Sequence, residues 1–151
     1  MFGMFNGCQS IISLNLDNFE TKNVNNMGWM FKDCQNLKSL NLLYFDTRKV
    51  TNLNGMFDNC LNLKIRGIEI FDTNKVKDMS KIFLNYKSLI NLDIKFNTLN
   101  TIDMTYMFAG CLYLKSLDLS TFSTKLTKKF DNMFNEDKGL DLYINKNNCQ
   151  I

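Results

Sequence analysis

The chain has 151 residues, of which 45% are apolar and 22% are charged, so it is long enough to bury a hydrophobic core and has the composition of a globular protein. Its net charge is only +3 and its lysines are interspersed with carboxylates, so we expect no nucleic-acid partner. No apolar run approaches the roughly 18 residues that predict a membrane span, and no basic segment followed by an apolar one marks a secretory signal.

The first eight residues, MFGMFNGC, resemble an internal stretch, MGWMFKDC, at positions 27–34. The Met-Phe pair that both contain recurs along the chain in steps of 26, 26, 26, 25 and 26 residues, once as Ile-Phe. The pairs begin at Met4, Met30, Met56, Ile82, Met107 and Met133. We therefore predict one repeat domain over residues 1–151. Because Met1 aligns with Met27, we expect the chain to be an excerpt of a longer array.

Each repeat begins with a segment whose apolar residues are spaced 3, 3, 1 and 3 positions apart, as in Val24, Met27, Met30, Phe31 and Cys34. This spacing is typical of one face of a short amphipathic helix. A threonine just before the segment, such as Thr21 or Thr47, is a suitable N-cap, because its hydroxyl can accept a hydrogen bond from a free helical N–H.

The second half of each repeat changes to a period of two, which predicts a strand, as at Leu37, Leu40 and Leu42. One such unit buries too little apolar surface to fold alone, so neighbouring units must stack. The predicted fold is an α/β repeat solenoid with a parallel β-sheet on one side and short helices on the other.

The last repeat keeps the strand pattern at Leu140, Leu142 and Ile144 but lacks the helical segment that should follow. We interpret it as a partial repeat that caps the C-terminal edge of the core. The N-terminal edge has no comparable cap in this chain, so we expect self-association through that edge.

Strand alternation also predicts a candidate protein-binding face. If Leu40 and Leu42 point into the core, Ser39 and Asn41 point outward, and stacking should align them with equivalents in other repeats. A strip of short polar side chains suits hydrogen bonding to a broad protein partner, although a merely solvated face is the alternative. The candidate residues are Ser13, Asn15, Ser39, Asn41, Asn91, Asp93, Ser116 and Asp118, and the third repeat would add Ile65 and Gly67.

The chain offers little support for catalysis, and we predict no enzyme, no cofactor and no metal site. It has no histidine, no glycine-rich phosphate loop and no G-x-S-x-G motif. Cys8, Cys34, Cys60 and Cys111 follow the repeat and contain no C-x-x-C spacing, so we expect small buried side chains that close each helix. Cys149 lies outside the repeat, in a polar tail, and is the thiol we expect to be most reactive.

The combination of Leu37-x-x-Leu40-x-Leu42, a phenylalanine at Phe45, the VxxMxxMFxxC pattern and the FDT at 45–47 and 71–73 closely resembles the BspA-like leucine-rich repeats. These include the repeat of about 25 residues first noticed in mycoplasma lipoproteins. The resemblance implies a surface or secreted protein and a non-enzymatic module for adhesion to host proteins or other cells. The alternative is an intracellular structural or scaffold repeat protein without an adhesive role.

Overall fold

The structure, a computed structural model, describes residues 1–92, 94–136 and 140–144. It contains five short strands in two parallel sheets, one of β1 and β2 and the other of β3, β4 and β5 in that order. Each strand comes from a successive repeat, and we call each repeat a coil, numbered one to six from Met1, Met27, Leu53, Met79, Met104 and Phe130. The strands are β1 (Ser39–Asn41), β2 (Lys64–Arg66), β3 (Asn91–Leu92), β4 (Ser116–Leu119) and β5 (Asp141–Ile144).

The predicted helical half of each repeat is wrong, and with it the α/β assignment. In the described part of the chain the only helical segment is a short 3-10 turn at Ile68–Ile70. In the Met-Phe segment of coil two, alternate N–H groups donate to the next coil instead of to a carbonyl four residues back. These bonds, of 2.8–3.0 Å, join Met27 to Asn52, Trp29 to Asn54, Phe31 to Met56 and Asp33 to Asp58.

A repeated reversal of the backbone explains why this segment does not become a helix. Two positions per coil, four residues apart, have φ between 55° and 74°, which is the left-handed region. They are positions 3 and 7, 29 and 33, 55 and 59, 81 and 85, 106 and 110, and 132 and 136. Gly, Asn or Asp occupies eight of these twelve positions, and these residues tolerate positive φ best. The segment is therefore a series of tight turns whose apolar residues still face the core.

The core is built from identical side chains placed one above the next. The phenylalanine of each Met-Phe pair stacks on its counterpart in the neighbouring coil, with ring centroids 5.6–5.8 Å apart and planes within 12° of parallel. The stack contains Phe5, Phe31, Phe57, Phe83, Phe108 and Phe134. Leu40, Leu42 and Phe45 are also buried, as the strand alternation predicts.

A second parallel ladder runs along another side of the stack, where single residues of successive coils pair in the order Asn26, Asn52, Asp78, Asp103 and Lys129. The first four accept a hydrogen bond on the side-chain oxygen from the N–H two residues later, at 2.8–3.0 Å. Such local bonds fix a turn at the same place in each coil.

The threonines predicted as N-caps have a different role, because no helix follows them. Thr47 Oγ1 donates to the carbonyl of Asp72 in the next coil at 3.1 Å. Thr21 Oγ1 does the same to Asp46 at 3.2 Å and also accepts from its N–H at 2.7 Å. The buried hydroxyl thus holds two coils together.

Candidate protein-binding face

The outward side chains of the first sheet form two rows across coils one to three. Ser13 pairs with Ser39, and Ser39 pairs with Lys64. In the second row Asn41 pairs with Arg66, and Asn15 occupies the equivalent place in coil one. An open groove of about 520 Å³ lies over these rows and includes Asp17. The structure therefore brings together four of the predicted residues, Ser13, Asn15, Ser39 and Asn41.

The third coil departs from the prediction by one residue. Ile65 pairs with buried Leu40 and is half-buried, and Gly67 lies beyond the strand, so Lys64 and Arg66 take the outward places instead. Coil three has one residue fewer before the strand and one residue more after it. Gly67 absorbs the extra residue with φ of 94°, in contact with the backbone of coil two.

The predicted residues of the other sheet form a separate group. Asn91 pairs with Ser116, and Ser116 pairs with Asp141, while Asp118 is exposed beside them. Asp93 lies outside the described residues. Ser120 N–H donates to Asp118 Oδ1 at 2.8 Å, and this bond lowers the pKa of the carboxyl. This half of the face is anionic, whereas Lys64 and Arg66 make the first sheet cationic at coil three.

Tyr86 marks the place where the predicted strip is interrupted, since β2 and β3 are not paired in the described part of the chain. Tyr86 replaces the cysteine of the other coils, and its hydroxyl donates to the carbonyl of Leu63 at 2.7 Å. Ser88 Oγ donates to the same carbonyl at 2.9 Å. A small cavity of about 220 Å³ lies between the two coils at this point. The candidate face is therefore two patches and not one strip.

Some of the predicted face residues have a structural role. Asn15 Oδ1 accepts from the N–H of Asp17 at 2.9 Å, and Asn41 Oδ1 accepts from the N–H of Leu43 at 3.3 Å. These bonds turn the chain after the strand, so substitution of Asn15 or Asn41 affects the turn as well as the surface. Ser39 carries no such bond and is exposed at the centre of the groove.

Lys64 and Arg66 were missed by the sequence reasoning because a strict 26-residue step places Ile65 and Gly67 there. Both cations are exposed, and among the described residues neither has a carboxylate within 4.0 Å. Asp17, in coil one, accepts only a long bond of 3.4 Å from the Asn41 side chain among the bonds found there. The groove thus offers positive charge at one end and a carboxylate at the other.

A family model described as "Mycoplasma protein of unknown function, DUF285" matches residues 1–85 and again residues 58–150. The chain belongs to this family. The DUF285 family is a family of BspA-like repeats in general, and the overlap of the two matches at 58–85 fits a repeated sequence, since one model can be placed on it in more than one register. No curated protein and no solved structure matches the chain.

The repeat cysteines of this DUF285 chain are packing residues that also donate hydrogen bonds. Cys34, Cys60 and Cys111 are buried, and each Sγ donates to a phenylalanine carbonyl of the preceding coil at 3.0–3.2 Å. Burial raises the pKa of the Cys34 thiol to about 11 and that of Cys60 further. The expectation that they close helices is wrong, but their burial agrees with the packing interpretation. Cys8 is half-buried, and Cys149 lies outside the described residues.

One ion cluster lies on the turn side of coils two and three. Lys32 Nζ lies 2.7 Å from Asp58 Oδ2 and 3.3 Å from Asp33 Oδ2. Burial raises the pKa of Asp58 although Lys32 opposes the shift. Burial alone would lower the pKa of Lys32, but its bonds to both carboxylates raise it overall. Asn59 Nδ2 also donates to Asp33 Oδ1 at 2.7 Å, so the cluster joins two coils.

Within the described residues, no group of three or more His, Cys, Asp or Glu side chains is arranged to hold a metal ion. In the same part of the chain, no helix has the length and hydrophobicity needed to cross a bilayer.

Proposed function

We propose that this chain is a non-enzymatic protein-interaction module and that the groove over the first sheet binds a protein partner. The observation that carries the proposal is the pair of unpaired cations, Lys64 and Arg66, at the end of a row of short polar side chains. Surface charge without an internal partner is available to a partner's carboxylates and steers their approach.

The shape of the groove favours a protein segment over a small molecule. Its floor crosses three coils, which at about 4.8 Å per coil is roughly 10 Å wide. It is open to solvent rather than enclosed, unlike sites that surround most of a small ligand. The short side chains of Ser13 and Ser39 leave the strand backbone accessible, so a broad partner can reach it.

We propose further that the module belongs to a leucine-rich-repeat type of surface or secreted protein, with adhesion to host or cell proteins as its role and a lipoprotein as one form in which it is displayed. Support comes from the membership of a BspA-like repeat family and from the resemblance of the strand segments to leucine-rich repeats. The coil geometry supports presentation of the groove on a repetitive scaffold, since every coil is held to the next by backbone bonds.

Site-specific photo-crosslinking tests the location of the binding face. Benzoylphenylalanine is placed at Ser39, in the centre of the groove, or at Lys81, which is exposed on the turn side. Both variants are irradiated on intact cells of a candidate host, and the crosslinked proteins are identified by mass spectrometry. We expect a partner crosslinked from position 39 and not from position 81, and a partner crosslinked only from position 81 would contradict the proposal.

Charge reversal then tests the role of the cations. The double variant Lys64→Glu with Arg66→Glu should bind the crosslinked partner at least about tenfold more weakly than the wild type. The matched control is Lys81→Glu with Lys87→Glu, which makes the same change in net charge outside the groove. Equal binding by the groove variant and the wild type would show that Lys64 and Arg66 do not contact the partner.

A further inference from the structure

A second surface, away from the first sheet, concentrates positive charge around two depressions that share one residue, Lys75. The first depression, of about 370 Å³, is lined by Lys22, Arg48, Lys49 and Lys75, with Asp46 at its edge. The second, of about 470 Å³, is lined by Lys75, Lys77 and Lys128 around the side chains of Ile102 and Leu126. We call this the lysine surface.

Backbone bonds between coils place these side chains in line. Lys77 N–H donates to the carbonyl of Thr51 at 2.9 Å, Ile102 N–H donates to Lys77 at 2.8 Å, and Lys128 N–H donates to Ile102 at 2.8 Å. Equivalent positions of coils two to five therefore lie one above the other. The cations follow the axis of the stack, and their spacing is set by the spacing of the coils.

The charge of the lysine surface is only partly neutralised within the chain. Arg48 is bound to Asp46 at 2.6 Å, and Lys22 lies 3.7 Å from Glu20. In the described part of the molecule Lys75, Lys77 and Lys128 have no carboxylate within 4.0 Å. Three cations at the junction of the depressions and in the second one are thus free to bind carboxylates of another molecule.

The second depression combines this charge with exposed aliphatic surface. Leu126 is 56% exposed and Ile102 is 38% exposed, side by side in a chain whose other leucines and isoleucines are mostly buried. An apolar floor with a cationic rim fits a ligand that carries an apolar side chain close to negative charge.

We propose that the lysine surface binds an extended acidic peptide segment of a partner protein, with its carboxylates over Arg48, Lys49 and Lys75 and an aliphatic side chain in the depression of Ile102 and Leu126. The acidic and apolar subsites are centred two to three coils apart, or roughly 10–14 Å. An extended chain covers that distance in about three to four residues.

The character of the two depressions argues for a peptide over the other anionic partners. A polyanionic sugar has no aliphatic side chain for Ile102 and Leu126. A lipid bilayer is flat and matches protruding apolar residues better than depressions. The surface has no aromatic side chain on which a nucleobase could stack, as single-stranded nucleic acid requires.

Fluorescence anisotropy with a labelled, C-terminally amidated peptide EEDGSL tests this proposal on the full chain. Its last carboxylate and its leucine are three positions apart, as the two subsites require. The comparison peptides are QQNGSL, which lacks the charge, and EEDGSS, which lacks the apolar side chain. We expect EEDGSL to bind, and each comparison peptide to bind at least about fivefold more weakly.

Protein variants identify the surface. Lys49→Glu with Lys75→Glu should weaken EEDGSL binding at least about tenfold, and Ile102→Ser with Leu126→Ser should weaken it about fivefold while leaving EEDGSS binding unchanged. Lys64→Glu with Arg66→Glu makes the same change in net charge on the first sheet and should leave binding of EEDGSL unchanged. Thermal unfolding of each variant confirms that it is folded, and Lys75→Gln serves if a double charge reversal is not.

Three results would overturn the proposal. They are no binding of EEDGSL at peptide concentrations up to about 1 mM, equal binding of EEDGSL and EEDGSS, and equal binding to the wild type and the Lys49→Glu, Lys75→Glu variant. Binding of heparin or of vesicles with anionic lipid that depends on Lys49 and Lys75, with EEDGSL not bound, would assign the surface to those anions instead. None of these results bears on the groove over the first sheet, so the two proposals fail independently.

Discussion

The ring of Phe57 lies nearly parallel to the ring of Phe83, with 5.8 Å between the ring centroids and 10° between the planes. Both rings are fully buried, and each also stacks on the phenylalanine of the coil on its other side. The contact repeats from coil one to coil six, so a single truncation in the middle removes two stacking contacts at once.

Phe57→Ala is therefore expected to lower the free energy of unfolding by about 3–5 kcal/mol, because it leaves a cavity in the central stack. Urea unfolding followed by circular dichroism measures the loss. Tyr44→Ala, at a side chain 64% exposed, is the control and should change stability by less than about 0.5 kcal/mol. A comparable loss in the two variants would show that the phenylalanine stack does not dominate the core.

Gly67→Ala should be strongly destabilising, since φ is 94° and an added Cβ would lie 2.6 Å from Leu43 N and 2.7 Å from Leu42 C. The positive φ alone costs about 1–2 kcal/mol, and the backbone contact adds to that cost. Gly7→Ala is a close control, because its φ is also positive at 74° but no atom lies within 4 Å of the added Cβ. Thermal unfolding should show a larger fall for Gly67→Ala than for Gly7→Ala. Equal falls would mean that Gly67 does not lie against coil two.

Lys32→Met should destabilise the protein by about 1–3 kcal/mol at pH 7, because Asp58, which is 6% exposed, loses its partner at 2.7 Å. The pKa of Asp58 is already raised by burial, and loss of Lys32 raises it further. A folded-state pKa above the unfolded one favours folding at low pH and is a penalty once pH rises above it, so the loss should shrink at pH 4.

The control for Lys32→Met is Lys22→Met, which breaks an exposed pair with Glu20 at 3.7 Å and should change stability by less than about 0.5 kcal/mol. Urea unfolding at pH 7 and pH 4 compares the two variants. A loss in Lys32→Met that does not depend on pH would attribute it to packing of the lysine stem and not to its charge.

Alkaline pH should destabilise the protein through its buried thiols. Burial raises the pKa of Cys34 from an ordinary 9.0 to about 11. The folded chain therefore keeps the proton where the unfolded chain has already lost it, so this contribution is complete below pH 9 and is lost as pH rises toward 11. Urea unfolding from pH 8 to pH 11 should show falling stability, with a shallower slope in Cys34→Ser, whose hydroxyl does not titrate. An unchanged slope in Cys34→Ser would place the titration elsewhere, and Cys60 and Tyr86, whose pKa values are raised more, are the next to test.

The strands and the core could be predicted from the sequence, but the turns between them could not. Period-two leucines such as Leu40 and Leu42 identify a strand in any context. The 3, 3, 1, 3 spacing around Met30 is compatible with more than a helix, because any segment with one side against the core shows it. The discriminating signal was present in Gly55 with Asn59 and in Asn85 with Gly110, residues that disfavour helix interiors and recur at the positions of positive φ.

The candidate face was predicted in composition but not in register. A fixed step of 26 residues works for coils one and two and fails in coil three, where Gly67 makes up for a residue missing before the strand. The interruption at Tyr86 could not be foreseen, since whether a tyrosine in a cysteine position separates two strands depends on where its hydroxyl finds an acceptor. The single-domain assignment, the excerpt from a longer array and the self-association of the N-terminal edge stay predictions.

The turn segments also give the stack an electrical direction. In the turn segment of coil two, Trp29, Phe31 and Asp33 donate their N–H groups toward coil three, and the same bonds recur from coil to coil. Their peptide dipoles therefore add along the axis, as they do in an α-helix, instead of alternating as they do across a sheet. One end of the turn side carries partial positive charge and the other partial negative charge, whatever charged side chains surround them.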